Sequence, residues 1–249
     1  MPSVFITGAS SGLGRGLSLH FAKEGNTVYA AARRKDELSR LAAEAQGGVI
    51  VPVPLDVQDS EALVRAIGRA EEEAGGALDL VIANAGIGQP TSARKMDWQV
   101  VRRIMDVNVT AACVTIAAAL PKMIARNAGH VVAVSSLAAF RGMPGNASYC
   151  ASKAALHIWM ESVRIDLRAT KVRATTIYPG FVKTEMTAKN KYPMPFLMEL
   201  DAAVKVMTRG LARGAKTISF PLPMSAVTRT LGAIPGVLYE PLAGRMRMF

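Results

Sequence analysis

Short continuous runs of apolar residues alternate along this chain with longer stretches whose apolar positions recur every three to four residues. The short runs are residues 4–7, 28–32, 49–55, 78–83, 131–135 and 174–178, together rich in Val and Ile. A run with no polar alternate reads as a strand buried on both faces, the usual condition of a parallel sheet covered by helices. The first helical stretch starts near Leu13, places Leu13, Leu17 and Phe21 on one face, and ends at Gly25. A second covers residues 35–46, and a third follows Asp59-Ser60, both good helix-capping residues. Two longer helices are expected over residues 97–125 and 148–169.

Repeated strand–helix–strand units of this length require right-handed crossovers between parallel strands. The expected architecture is therefore a doubly wound, Rossmann-type α/β sheet with helices on both faces. The 249 residues suit one such domain. Within it, residues 1–180 form the core of the alternation and residues 181–249 form a different segment, where Pro and Met become frequent and the alternation weakens.

Composition changes this picture little. Half the residues are apolar and a fifth are charged, which excludes a disordered chain. The net charge of +11 brings nucleic acid into consideration. Yet the basic residues are scattered, with only short clusters such as Arg33-Arg34-Lys35 and no interleaved aromatics, so no nucleic-acid partner is expected. A basic surface that draws in a polyanionic cofactor accounts better for the charge. Cys113 and Cys150 fall in helical stretches and form no metal or disulfide spacing, and His20, His130 and His157 are isolated from one another. No metal is expected. The opening Met-Pro-Ser-Val-Phe-Ile-Thr-Gly goes straight into a strand, and no uninterrupted apolar stretch reaches 18 residues. Neither a signal peptide nor a membrane span is expected, and the location is read as cytoplasmic.

The chemistry begins at the first turn. Thr7-Gly8-Ala9-Ser10-Ser11-Gly12-Leu13-Gly14 joins the first strand to the first helix. Glycines there allow a tight turn and let a pyrophosphate approach the free N–H groups of a helix N-terminus. The second strand ends Ala30-Ala31-Ala32-Arg33-Arg34, with alanine where an NAD enzyme usually places an acid. Arginine at this point can pair with a 2′-phosphate, which favours NADP over NAD, although a solvent-facing basic turn would read the same way. Ser135-Ser136 ends the fifth strand, Tyr149 follows Ser136 by thirteen residues, and Lys153 follows Tyr149 by four. Residues i and i+4 share a helix face, so Tyr149 and Lys153 are neighbours there. A nearby ammonium stabilises the phenolate and brings tyrosine, normally near 10, towards a useful acid–base range.

The glycine loop, Asn84-Ala85-Gly86 after the fourth strand, Ser136 and Tyr149-Cys150-Ala151-Ser152-Lys153 occur in a fixed order. This set resembles the classical short-chain dehydrogenase/reductase family, and the resemblance spans about residues 3–190. It implies hydride transfer between NADP(H) and a carbonyl or secondary alcohol. It implies cofactor contacts from Thr7, Gly8, Ser10, Ser11, Gly12, Leu13, Gly14, Arg33 and Arg34. It adds Asp56 and Val57 at the adenine, the Asn84-Ala85-Gly86 segment, Tyr149 and Lys153, and Pro179, Gly180, Val182 and Thr184 around the nicotinamide. It assigns catalysis to Ser136, Tyr149 and Lys153, and to Asn108 as holder of a helix distortion and a proton-relay water. The other reading of Asn108 is a helix-interior polar residue bonded to local backbone.

The resemblance also places a substrate pocket near residues 87–90, 137–143 and 181–200, with Ser136, Leu137, Met143, Tyr149 and Met186 against the substrate. The residues Met186, Tyr192, Met194, Phe196, Leu197 and Met198 suggest a lid over an apolar substrate, or equally a surface that packs on the core or on another subunit. Residues 218–249 are apolar and basic. Packing within the fold or on a neighbour is preferred to an interfacial membrane anchor, because prolines at 221, 223, 235 and 241 interrupt any long amphipathic helix. The family's habit implies a homodimer or homotetramer. A catalytically silent NADP-binding regulatory protein of the same fold is the alternative to an enzyme.

Overall fold

The computed structural model describes residues 1–190 and 193–244. Seven parallel strands form one sheet in the order β3-β2-β1-β4-β5-β6-β7. They are β1 (Ser3–Thr7), β2 (Thr27–Ala32), β3 (Val49–Pro54), β4 (Leu80–Ala83), β5 (Gly129–Val134), β6 (Val172–Pro179) and β7 (Thr217–Phe220). The helices are α1 (Gly12–Lys23), α2 (Lys35–Ala43), α3 (Ser60–Glu73), α4 (Trp98–Met105), α5 (Ala111–Arg126), α6 (Ala147–Asp166), α7 (Leu200–Ala212), α8 (Leu222–Ala233) and α9 (Gly236–Gly244).

The expected buried strands hold in the centre of the sheet. Every residue of β1 is buried, and alternate side chains enter opposite cores. Phe5 joins Tyr29, Val81, Val131 and Ile116 on one face, whereas Val4 and Ile6 join Val28, Val132, Ile177 and Leu17 on the other. β3 departs from the continuous-run expectation. It lies at the sheet edge, where Val49, Pro52 and Pro54 are exposed. An edge position tolerates prolines because one side of the strand donates no ladder hydrogen bonds.

Two further departures concern helices. The stretch expected as one helix over residues 97–125 is α4, a π-helical turn at Asp106–Thr110, and α5. Together Trp98–Arg126 is long and apolar enough to cross a bilayer. However, Ile104, Ala111, Ala112, Ile116, Ala119 and Met123 are buried in it, most of them in the core beneath the sheet. The weak alternation of the last seventy residues conceals α7, β7, α8 and α9. Its prolines divide the tail into short helices, as expected, but do not prevent them: Pro221 precedes α8, Pro223 sits in its first turn, Pro235 separates α8 from α9, and Pro241 lies inside α9. These two helices bury Ser225, Tyr239 and Ala243 within the fold. Leu222, Val227, Val237, Leu238 and Leu242 stay exposed. The last residues of the tail, 245–249, lie outside the described residues.

The strand order reverses direction between β1 and β4. In doubly wound sheets a crevice opens at the carboxyl ends of the strands flanking such a point. Thr7 and Asn84 stand there, at the ends of neighbouring strands.

Candidate active site

The glycine loop is shaped by backbone meeting backbone. Gly8 and Gly12 hold φ of +70° and +52°, a region costly for residues with a Cβ. Gly14 has an ordinary φ but no room, since a Cβ there would lie 2.3 Å from the Gly8 carbonyl oxygen and 2.5 Å from Asn84 Nδ2. Thr7 and Asn84 fasten the loop to β4. The Thr7 Oγ1 accepts the backbone N–H groups of Asn84 (3.0 Å) and Ala85 (3.1 Å), and Asn84 Nδ2 donates to the Thr7 carbonyl at 2.9 Å. Ser11 caps α1 in an extended conformation without a side-chain bond to the first turn, which leaves the leading amides of the helix to a ligand. A backbone cradle of this kind at a helix N-terminus fits a pyrophosphate.

Beside it, Arg34 Nε donates to Ser10 Oγ at 3.1 Å, and its guanidinium pairs with Glu185 at 3.0 Å. Arg33 is largely exposed and lies 3.8 Å from an Asp56 carboxylate oxygen. Asp56 also accepts from the backbone of Gln58, and Val57 is buried in the core. Thr184 approaches from the loop after β6, where a Cβ on Gly12 would touch its methyl at 3.2 Å. The Gly180 N–H is fixed by the Phe220 carbonyl at 2.7 Å, and Val182 is buried opposite Met198. The structure thus gathers the glycine loop, the basic pair and the segment 180–184 around one crevice.

The polar constellation occupies the next stretch of the same sheet edge. Lys153 is 4% exposed; its Nζ donates to the Val134 carbonyl at 2.9 Å, and burial lowers its pKa to about 8. The ammonium lies 5.8 Å from the centre of the Tyr149 ring. Ser136 Oγ accepts from the Ala138 N–H at 3.1 Å and reaches the Pro179 carbonyl at 3.4 Å. Asn108 sits inside the π-helical turn, fully buried. Its Oδ1 accepts from the Ile87 N–H at 2.8 Å, and its Nδ2 donates to the Ile87 carbonyl and to Ser152 Oγ, each at 3.0 Å. A Cβ on Gly86 would lie 3.3 Å from Lys153 Nζ and 3.5 Å from Asn108 Oδ1, so Gly86 keeps the space between them open.

Of the expected pocket residues, Met186 is exposed and stands near Tyr149 across Gly88: a Cβ on Gly88 would lie 3.7 Å from its sulfur and 3.8 Å from the Tyr149 ring. Met143 is half-buried. Leu137 is 2% exposed and packs with Tyr178. Phe196 and Leu197 are exposed, and Tyr192 lies outside the described residues. Sequence reasoning passed over Ser152, whose hydroxyl accepts from Asn108 and donates to the Tyr149 carbonyl at 2.8 Å. Nothing in its spacing marks it from an ordinary helix serine. No cluster of three or more metal-ligating side chains is found among the described residues.

Comparison with known proteins agrees with the fold. The chain matches the short chain dehydrogenase family over residues 2–194. It is 51% identical over 247 residues to an uncharacterized oxidoreductase of Myxococcus xanthus, covering 98% of this chain and 97% of that one. Among solved structures, a short-chain dehydrogenase from Burkholderia cenocepacia in complex with NADP superposes with a TM-score of 0.82 at 29% identity, covering 97% of each chain. A short-chain dehydrogenase from Sphingobium yanoikuyae in complex with NADPH gives 0.83 at 26%, covering 99% of this chain and 97% of that one. The chain belongs to the short-chain dehydrogenase/reductase family. It is an oxidoreductase of that family.

Proposed function

We propose that this oxidoreductase uses NADP(H) to interconvert a carbonyl and a secondary alcohol, with an apolar substrate. The observation that carries the reading is the placement of Tyr149, Lys153 and Ser136 along the sheet edge that also holds the glycine loop. The residues fit the cofactor: the Gly8–Gly14 cradle suits the pyrophosphate. Ala32 at the end of β2, followed by the guanidiniums of Arg33 and Arg34, suits a 2′-phosphate. The NADP and NADPH bound by the two solved neighbours point the same way. When bound, the nicotinamide supplies or accepts the hydride, chemistry that no side chain performs.

The chain's own residues handle the proton. In reduction the Tyr149 hydroxyl gives its proton to the substrate oxygen as carbon accepts hydride, converting C=O to CH–OH and leaving a phenolate. Lys153 stabilises that phenolate through its ammonium, and Ser136 Oγ donates a hydrogen bond to the same oxygen. Asn108 holds the π-helical turn against Ile87 and tethers Tyr149 through Ser152, so its first task is to fix the geometry of the helix pair. The proton-relay role carried over for Asn108 is supported by the gap at Gly86 between its Oδ1 and Lys153 Nζ. A homodimer or homotetramer is supported by exposed Ile124, Ile158 and Ile165 on the long helices α5 and α6.

The test is absorbance at 340 nm with NADPH or NADH against ketones, aldehydes, quinones and 3-oxoacyl thioesters. Turnover is expected with NADPH, and Tyr149→Phe should lower it by about 10²–10⁴-fold while NADPH affinity is retained. Full activity in Tyr149→Phe refutes the assignment. NADPH binding without turnover on every substrate supports the silent regulatory protein instead.

A further inference from the structure

Twelve residues separate Ser136 from Tyr149. This connection acts on how the two hydroxyls face one another across the site, beside two direct ties between strand and helix: Ser135 Oγ donates to the Lys153 carbonyl at 2.8 Å and Lys153 Nζ to the Val134 carbonyl at 2.9 Å. Its second half is anchored from inside by Thr91, which is 2% exposed. The Thr91 N–H donates to the Gly145 carbonyl at 2.7 Å, and Thr91 Oγ1 accepts from the Ser148 N–H at 3.0 Å. Its first half is held by residues of α8 and α9. The Arg229 guanidinium lies 4.4 Å over the Phe140 ring and 5.9 Å from that of Tyr178. Gly232 lies so close that a Cβ would stand 2.8 Å from the Phe140 carbonyl oxygen. Tyr239 Oη donates to the Gly142 carbonyl at 2.7 Å, and Arg141 stacks over the Tyr239 ring at 4.1 Å.

Phe140 links these contacts to the catalytic helix. Its ring packs 5.0 Å from Tyr178 and 5.5 Å from His157, and His157 Nδ1 is 2.6 Å from Tyr178 Oη. His157 stands one helical turn after Lys153 on α6. Helices α8 and α9 thus contact a loop whose two ends carry the serine and the tyrosine, and an aromatic cluster links that loop to the lysine's own helix.

We infer that Arg229 and Tyr239 are positioning residues that hold the 137–145 loop, and that the loop so held limits substrate size beside Ser136. This rests on the carbonyl-reduction reading above. Neither residue touches the reacting atoms; both act through the loop. Loosening the loop misplaces Ser136 relative to Tyr149 and opens the pocket, while the glycine cradle on the far side of the sheet order is left alone.

The experiment measures NADPH-dependent reduction of a small aliphatic ketone and a bulky aryl ketone by wild type, Tyr149→Phe, Tyr239→Phe, Arg229→Met and Arg229→Lys. Tyr239→Phe removes one hydrogen bond and keeps the ring over Arg141, so it serves as the variant least disturbing to folding. For Tyr239→Phe and Arg229→Met, kcat/KM for the small ketone should fall about three- to tenfold, the size of one lost hydrogen bond or cation–π contact. The loss should be smaller for the bulky ketone, shifting the ratio towards it, with NADPH affinity unchanged. Arg229→Lys keeps a cation over the rings and should recover most of the loss. Values and substrate ratio within twofold of wild type in both variants overturn the inference, and so does an equal loss of NADPH affinity, which marks a general structural effect. An inactive wild type, or an active Tyr149→Phe, refutes the underlying reading instead.

Discussion

The two halves of the crevice are built by different means. On the β1–β4 side, main chain approaches main chain: Gly8, Gly12 and Gly14 leave room that any side chain would fill, and Thr7 and Asn84 bond to backbone. On the β5–β6 side, the work falls to side chains, with Lys153, Asn108, Ser136 and the Phe140–His157–Tyr178 cluster held by partners far away in sequence. A backbone-built site responds to substitution abruptly, because a Cβ either fits or does not. A side-chain-built site responds in proportion to the group removed.

The largest effect that tests this contrast is on the side-chain half. Lys153→Met should lower turnover by about 10²–10⁴-fold, measured at saturating NADPH, because the phenolate loses its ammonium. The same substitution should strengthen the cofactor-free fold. Burial depresses Lys153 from 10.5 to about 8, so between those values the unfolded chain holds a proton that the folded chain has released. Stability therefore rises with pH across that window, and below it the folded chain carries a buried charge at its expense. Thermal melts from pH 7 to 10 should show this slope in the wild type and a flatter one in Lys153→Met. An unchanged slope would mean that Lys153 is better solvated than its burial implies.

A smaller effect is expected at Gly14. Gly14→Ala sets a Cβ against the Gly8 carbonyl oxygen, and overpacking of this kind should weaken NADPH binding by about 10–100-fold in a fluorescence titration. Affinity within threefold of wild type would break the claim that this half is backbone-limited. The smallest effect belongs to Gly68 on α3, where an added Cβ meets nothing within 4 Å. Gly68→Ala should leave cofactor affinity alone and raise stability by about 0.5–1 kcal/mol in a denaturant titration, the ordinary gain of alanine within a helix. Loss of stability there would show that the glycine serves something beyond the helix.

The same contrast explains what the chain disclosed before its structure. The cradle was legible because a local run of residues dictates it: the strand, the turn and the helix lie within residues 3–23. The Tyr149–Lys153 pair was legible because four residues on a helix fix two side chains on one face. The hold of α8 and α9 on the loop was not, since Tyr239 and Gly142 are 97 residues apart and Arg229 carries no local mark of a stacking partner. β7 escaped for a related reason: four residues with Thr217 exposed show too little apolar run to separate a strand from a turn. The prolines near it suggested broken helices, although a proline in a first turn meets no obstacle. Asn108 was placed at a helix distortion by family likeness; its buried bonds to Ile87 supply the physical cause.

That distortion gives the chain an unusual sensitivity to length. A π-helical turn accommodates one residue more than the α-helical spiral on either side of it, so α4 and α5 are out of phase with each other by about one residue's rotation, roughly 100°. Removal of a single residue between Asp106 and Thr110 would let the spiral close into uninterrupted α-helix. With α5 fixed against the sheet, α4 would then turn about its axis, carrying the buried Ile104 towards solvent and the exposed Trp98 to a new bearing. Point substitutions on α4 can be absorbed one at a time, whereas a one-codon deletion there re-indexes the whole element at once.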